Sequence, residues 1–345
     1  MKVNVFTSID DPELIEGWRK LETEYDLFPQ SRYFWTAGWW YQLRGKQSFR
    51  GVAVTDPAGN FAGLAPLCME SQAGVRILRS VPVRFGDFYD FLIGKTQDQE
   101  AVTKTILHYL ESFGQWDVVR LDRLREGSAP CRFIPKEKPW VSRISNRFFE
   151  TSLQWNRWED YLDSMEATVR RNIRARLRKL EGSGRIEFLC IDNLRDFQIV
   201  ENKIRELYTS RLRAAGRKAK PERELRFRNE LILSGFSEQC LRLFVLKLDG
   251  TVIAYRLGFV ADRCYYDWNI SFDIRKKALH PGICSMAYTV RYLLEQGFRA
   301  MNLMSGIYPW KSDFSPGGHT GTVESLMCSS TRLPGLLYKS FFQHR

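Results

Sequence analysis

The sequence predicts an α/β chain (α+β, with a mixed sheet) in which one folding unit occurs twice. Three observations predict it. Two hairpin signals, FRGVAVTDPAGNFAGLAPLCM and CLRLFVLKLDGTVIAYRLGFV, turn at Asp56-Pro57-Ala58-Gly59 and at Asp249-Gly250. Each is followed by a further strand, an amphipathic helix closed by a glycine, and another strand. The interval between the two turns nearly equals that between the two capping glycines, Gly114 and Gly297. This regularity points to a distant internal duplication.

Length agrees, since 345 residues suit about two domains. The boundary is expected near residues 145–160, giving domains 1–150 and 151–345. With 44% hydrophobic residues and ten tryptophans, the chain can bury a sizeable core.

In the first half, Val102, Ile106, Tyr109, Leu110 and Phe113 predict one apolar helix face, and WDVVRL follows as a strand. Before that helix, FGDFYDFL clusters Asp87, Tyr89 and Asp90 among aromatics. The cluster suits sugar hydroxyls, or else a buried turn. Between the halves, Met165, Val169, Ile173, Leu177 and Leu180 line one face of a helix that ends at Gly182-Ser183-Gly184. Arg170, Arg171, Arg174, Arg176, Arg178 and Lys179 put six positive charges into ten residues of it. Such a run is either a solvated face or a wall that binds an anionic, phosphate-bearing acceptor, with Arg170 and Arg174 as contacts.

Helices are expected over 195–214 and 222–234, joined by the polar loop AAGRKAKPE. After the second hairpin, CYYDWNIS reads as a strand. Ile283, Met286, Ala287, Val290, Leu293 and Leu294 then form a helix face, and FRAMNLM is the last strand of the repeat.

The net charge of +12 suits an anionic partner without choosing one. The seven cysteines are scattered and read as reduced thiols of a cytosolic protein. No apolar run approaches the roughly 18–20 residues that span a bilayer. The N-terminal segment lacks an apolar secretory stretch. CxxC, HExxH, GxSxG, GxxxxGK[ST] and GxGxxG patterns are all absent. Neither a metal nor a serine nucleophile is therefore expected. Transfer chemistry carried by positioning and backbone dipoles remains.

One stretch, LHPGICSMAYTVRYLLEQGFRAMNLMSGIYPWK, raises a sharper possibility. Pro281 and Gly282 stand where a helix begins. Pro281 costs no needed donor there, and Gly282 permits close approach to the backbone. This is either a plain helix start or an anion site on the amides of Gly282, Ile283 and Cys284, with His280 beside them.

Phe272-Asp273, His280-Pro281-Gly282, Gly297, Gly306, Trp310-Lys311 and Phe314 together resemble the C-terminal half of the CelD-type acetyltransferases of the GNAT superfamily. FPQSRYFWTAGWW and VRRNIRARLRKLEGSGRI fit as well, and the tandem-GNAT Fem peptidyltransferases are more distantly similar. The chain departs from the CelD pattern in Asn302-Leu303-Met304 for Asp-Phe-Gly, Trp310 for Tyr, and His280 for Ser.

The resemblance implies tandem GNAT-like domains, the first degenerate and serving as scaffold or acceptor wall. It implies an acyl-CoA-dependent N- or O-acyltransferase acting on an envelope polysaccharide precursor, an amino sugar or a related small acceptor. The implied location is cytoplasmic, free or peripheral to the inner membrane. Acyl-CoA would lie in the gap between CYYDWNIS and FRAMNLM, its pyrophosphate at the helix start. Asp267 is a candidate general base, or a carboxylate paired with arginine. Of Tyr265 and Tyr266, which alternate faces, Tyr266 is the catalytic candidate. Lys311 and Asn302 are candidate acceptor contacts, and His319 is an alternative base. Two other readings remain: a Fem-like ligase using aminoacyl-tRNA, and a catalytically silent GNAT relative acting as a binding module.

Overall fold

The computed structural model describes all residues except 25–27, 83–84, 96, 113, 135–139, 317–318, 333–334, 337 and 339–345. Phe113 and the His319 side chain thus lie outside the described residues. The chain forms two compact units, Met1–Arg147 with Gly321–Arg345, and Phe148–Thr320.

The first unit contains β1 (Lys2–Phe6), α1 (Pro12–Glu24), α2 (Tyr33–Leu43), β2 (Ser48–Thr55), β3 (Phe61–Gln72), β4 (Val75–Ser80) and β5 (Leu92–Ile93). It continues through α3 (Gln99–Leu110), β6 (Val118–Arg125), α4 (Ala129–Phe133) and the first part of β7 (Val141–Ser152). The second unit takes the end of β7, then α5 (Trp158–Asp163), α6 (Ala167–Glu181), β8 (Ile186–Ile191), α7 (Leu194–Ala214) and α8 (Glu222–Ser237). There follow β9 (Leu241–Leu248), β10 (Thr251–Ala261), β11 (Cys264–Phe272), α9 (Pro281–Glu295), β12 (Ala300–Ser305) and α10 (Pro309–Asp313). β13 (His319–Ser329) closes the series.

The duplication is visible in the ladders. β2, β3 and β4 pair antiparallel in turn, and β4 then pairs parallel with β6 across the crossover helix α3. β9, β10 and β11 repeat that pattern, and β11 pairs parallel with β12 across α9. A parallel pair needs such a crossover, so each strand–helix–strand predicted from periodicity appears as a parallel ladder step in its unit.

The reading that assigned residues 321–345 to the second domain is corrected. β13 pairs antiparallel with β6, so it completes the first unit's ladder. Two local expectations also shift. α3 ends at Leu110, four residues short of Gly114, and Met165 precedes α6. Gly297 does close α9. At φ +68 its N–H donates to Leu294 and that of Phe298 to Leu293, a Schellman motif.

The apolar stripes are core. Val102, Ile106, Leu107 and Leu110 of α3 are buried, as are Met286, Ala287, Val290 and Leu293 of α9. Each such large side chain contributes about 1.5–3 kcal/mol by leaving water.

The proposed sugar platform in the first unit is also corrected. Tyr89 is buried and spends its hydroxyl on the Pro66 carbonyl at 3.2 Å. Asp90 Oδ1 accepts from the amides of Phe91 at 2.8 Å and Ala129 at 2.9 Å. Asp87 faces Arg123 at 3.6 Å. These groups hold a turn together, because backbone donors inside a folded unit must find acceptors.

Burial pushes the Asp90 carboxyl up to about 7, against those two amide bonds. An unfolded aspartate releases its proton near 3.8, so stability falls as pH rises from there through about 7. Asp90→Asn keeps an acceptor for both amides and removes the titration. The variant's advantage over wild type in urea melts is expected to grow between pH 4.5 and 7.5. Parallel pH curves would refute this assignment.

Candidate active site

β11 and β12 pair over only three rungs, Cys264–Ala300, Tyr265–Met301 and Tyr266–Asn302, and then diverge. Beyond the last rung β11 carries Asp267 and β12 carries Leu303 and Met304. The β10–β11 register slips between Leu257–Asn269 and Phe259–Tyr266, so β11 holds one extra residue there. That is a β-bulge, which bends a strand and re-aims its side chains. Gly258 permits it: a Cβ at that position would stand 2.3 Å from the Tyr266 carbonyl oxygen.

Asp267 lies at the bulge. Its carboxylate Oδ2 accepts from Arg256 Nη1 of β10, and both side chains are only 2% exposed. Arg256 Nη2 also reaches the Gly282 carbonyl at 3.5 Å, which ties the pair to the start of α9. The guanidinium lies 5.5 Å from the ring of Trp310. Oδ1 of Asp267 and Nε of Arg256 are buried without partners among the described residues. Desolvation raises the Asp267 pKa, offset in part by Arg256, Lys311 and Arg211. A carboxyl shifted toward neutrality with one open oxygen has the form of a general base, although the pairing with arginine is equally real.

The other candidates fall as follows. Tyr266 is buried on the last parallel rung. Tyr265 is core, packed edge-on against Phe244. Lys311 is buried, and its Nζ donates to the carbonyls of Met304 at 3.0 Å and Ser305 at 2.9 Å. Asn302 is fully buried. Its Oδ1 accepts from the Met304 amide at 2.9 Å and its Nδ2 donates to Glu150 at 2.9 Å. Both were expected to meet the acceptor; in the structure they hold the end of β12. Met304 has φ +62 where the family pattern has glycine. Asn302 accepts the Met304 amide as Asp also could, but its Nδ2 donates to the Glu150 carboxylate, which an Asp carboxylate cannot do.

At the head of α9, the expectation of three open amides is corrected. The N–H groups of Ile283 and Cys284 both donate to the His280 carbonyl at 3.0 Å. Among the described residues, only the Gly282 N–H of the three has no acceptor. The Phe272 ring sits beside Gly282, so a Cβ there would lie 3.1 Å from it. Cys284 is buried, its thiol pushed up to about 12, which rules out thiolate character near neutral pH.

His280 has left-handed backbone (φ +51) and an exposed side chain. Partial desolvation, then Arg176 and Lys179, hold its pKa below the ordinary value. Those two cations have no acidic partner among the described residues, so α6 supplies positive charge beside this helix start. Arg256, Arg211 and the nearness of Arg176 and Lys179 to His280 were not singled out from sequence. The available signal was Arg256 itself, a lone charge inside the apolar strand TVIAYRLGFV.

Residues 167–312 match the family model of the acetyltransferase (GNAT) domain. This segment is similar to a GNAT acetyltransferase domain. It contains β11, the bulge, α9 and β12 in the order described above. The enzyme class is therefore acyltransferase, and acyl-CoA is the co-substrate that GNAT domains generally use. No curated protein matches the chain.

Solved structures do resemble it. FemX aligns over 98% of this chain and 99% of its own at TM-score 0.66 and 10% identity. The C-terminal domain of a putative lysylphosphatidylglycerol synthetase from Agrobacterium fabrum aligns over 95% of each chain at TM-score 0.59 and 11% identity. L-PGS from Bacillus licheniformis aligns over 99% of each at TM-score 0.57 and 14% identity. At such identities the likeness establishes a tandem GNAT-like fold. No described helix is long and apolar enough to cross a membrane.

Proposed function

We propose that the chain transfers an acyl group from acyl-CoA to an amine or hydroxyl of an envelope polysaccharide precursor, amino sugar or similar small acceptor, as the CelD-type resemblance implies. The observation that carries this reading is the buried Asp267, with one oxygen unpartnered among the described residues, at the open end of the β11–β12 ladder. Arg256 links it to the head of α9.

In this reading Asp267 accepts the proton of the attacking N–H or O–H. A new C–N or C–O bond forms, the thioester C–S bond breaks, and the proton passes on to the departing thiolate. Tyr266 precedes Asp267 in β11 on the last parallel rung and is the second catalytic candidate. The Gly282 amide, the α9 dipole, Arg176 and Lys179 hold the pyrophosphate. Arg256 positions Asp267 and keeps it from neutralising completely.

A thermal-shift screen against acyl-CoAs tests the reading. At a hundredfold excess over Kd, binding stabilises by about 2.7 kcal/mol, enough to move the melting temperature by degrees. Gly282→Glu should abolish the shift by charge repulsion. Gly282→Ala should retain it, because its added methyl meets only the Phe272 ring. If no acyl-CoA shifts wild type, the reading fails.

The second reading is aminoacyl transfer from charged tRNA, supported by the likeness to FemX over 98% of this chain. Binding of aminoacyl-tRNA without any response to acyl-CoA would favour it.

A further inference from the structure

A second concave site lies within the Phe148–Thr320 unit, where α5, α6 and α9 meet. It encloses about 610 Å³, within the range of small-molecule sites. Arg170, Arg171, Arg174 and Arg178 of α6 and Arg291 of α9 line it, against only Glu159 and Glu181.

The arginines differ in their commitments. Arg170 and Arg174 share the exposed Asp163 at 3.3 and 3.4 Å. Arg291 pairs with Glu295 at 2.9 Å. Arg171 and Arg178 have no acidic partner among the described residues. Arg170, Arg174 and Arg178 also stand four residues apart in succession along α6. Like charges at that spacing oppose the helix. An anion in the groove would relieve this repulsion, and planar guanidiniums suit phosphate oxygens in pairs.

The remaining lining indicates more than bare phosphate. Trp158 is backed by the Tyr161 ring at 5.5 Å, and Tyr288 by the Phe188 ring at 5.5 Å. Both rings are therefore held in place where they border the groove, as a stacking base would require. Glu181 Oε1 already accepts from the Tyr288 hydroxyl at 2.9 Å, so its other oxygen and Glu159 can accept from sugar hydroxyls, whereas an extended polyanion would meet two repelling carboxylates.

We propose that this groove binds a nucleoside diphosphate moiety, with the arginines on the phosphates and Trp158 or Tyr288 on the base. Either a free nucleotide or sugar nucleotide, or the nucleotide end of coenzyme A, could supply it. The groove itself does not depend on the acyl-CoA reading.

Calorimetry on the full chain at low salt tests the proposal, with ADP, UDP, UDP-linked sugar and coenzyme A as probes. At least one is expected to bind, and Arg171→Ala/Arg178→Ala should weaken it tenfold or more. That double variant releases no ion pair, so its melting temperature without ligand should equal or exceed that of wild type. Binding of free nucleotides identifies a separate ligand; binding of coenzyme A alone identifies its nucleotide end. Gly282→Glu separates the two sites, because it should leave free-nucleotide affinity unchanged while removing the acyl-CoA shift. The proposal is overturned if none of the probes binds, or if the double variant binds them as well as wild type. Binding restricted to single-stranded RNA or anionic vesicles also overturns it.

Discussion

Arg256→Met is expected to destabilise the protein by about 3–5 kcal/mol, because it leaves the Asp267 carboxylate buried and uncompensated. The pair is 2% exposed on both sides, so solvent cannot take over the lost charge. Arg256→Met/Asp267→Leu should recover most of that loss, since apolar replacement of a buried ion pair is often neutral or stabilising. Urea denaturation of the two variants makes the comparison. If the single variant melts like wild type, the pair is not the buried element described here.

Activity separates the structural role of the pair from its chemical one. Asp267→Asn keeps the shape and an acceptor for Arg256 but cannot take a proton. Acyl transfer should fall by about 10²–10⁴, the usual contribution of a positioned base. Because burial raises the Asp267 pKa, the wild-type rate should climb with pH along an acid limb above the ordinary carboxylate range. That limb should vanish in Asp267→Asn. Full activity in this variant would remove Asp267 from the mechanism.

Lys311→Met should cost about 2–4 kcal/mol of stability, the loss expected from removing a charged donor to two buried carbonyls. Its Nζ holds the Met304 and Ser305 carbonyls at 3.0 and 2.9 Å, and it lies 5.4 Å from the Tyr308 ring. The end of β12 that it secures contains Met304, a residue with left-handed backbone that is not glycine. Thermal and urea melts should therefore register the change directly. The acceptor-binding role expected from sequence predicts the reverse: a raised acceptor KM with unchanged stability. Such an outcome would reinstate Lys311 as a substrate contact.

The contrast between Lys311 and α9 shows what could be read in advance. The apolar stripe of α9, its Pro281 start and its Gly297 stop are local signals, each carried by residues within a few turns. The same holds for the two hairpins and for the parallel step repeated in both units. The role of Lys311 depended on carbonyls six and seven residues back along a turn whose shape no periodicity encodes. Asn302 was likewise named as a site residue, and in the structure it braces the end of β12. Asp267 was legible as a candidate with two fates, and Arg256 settled its pairing from a neighbouring strand.

Sequence alone determined the duplicated α/β order, the glycine-terminated crossover helix and the concentration of arginine on α6. Hydrophobic period and turn chemistry are properties of adjacent residues, so they survive without coordinates. Tertiary structure decided which charges are paired and which are left over. It sent β13 back to the first unit, closed two of the three α9 amides with the His280 carbonyl, and buried Asp267 against Arg256. It also left Arg171 and Arg178 without acidic partners among the described residues. Those outcomes depend on which strands and helices come together, and burial changes the energetics of a charge far more than its neighbours in the chain can indicate.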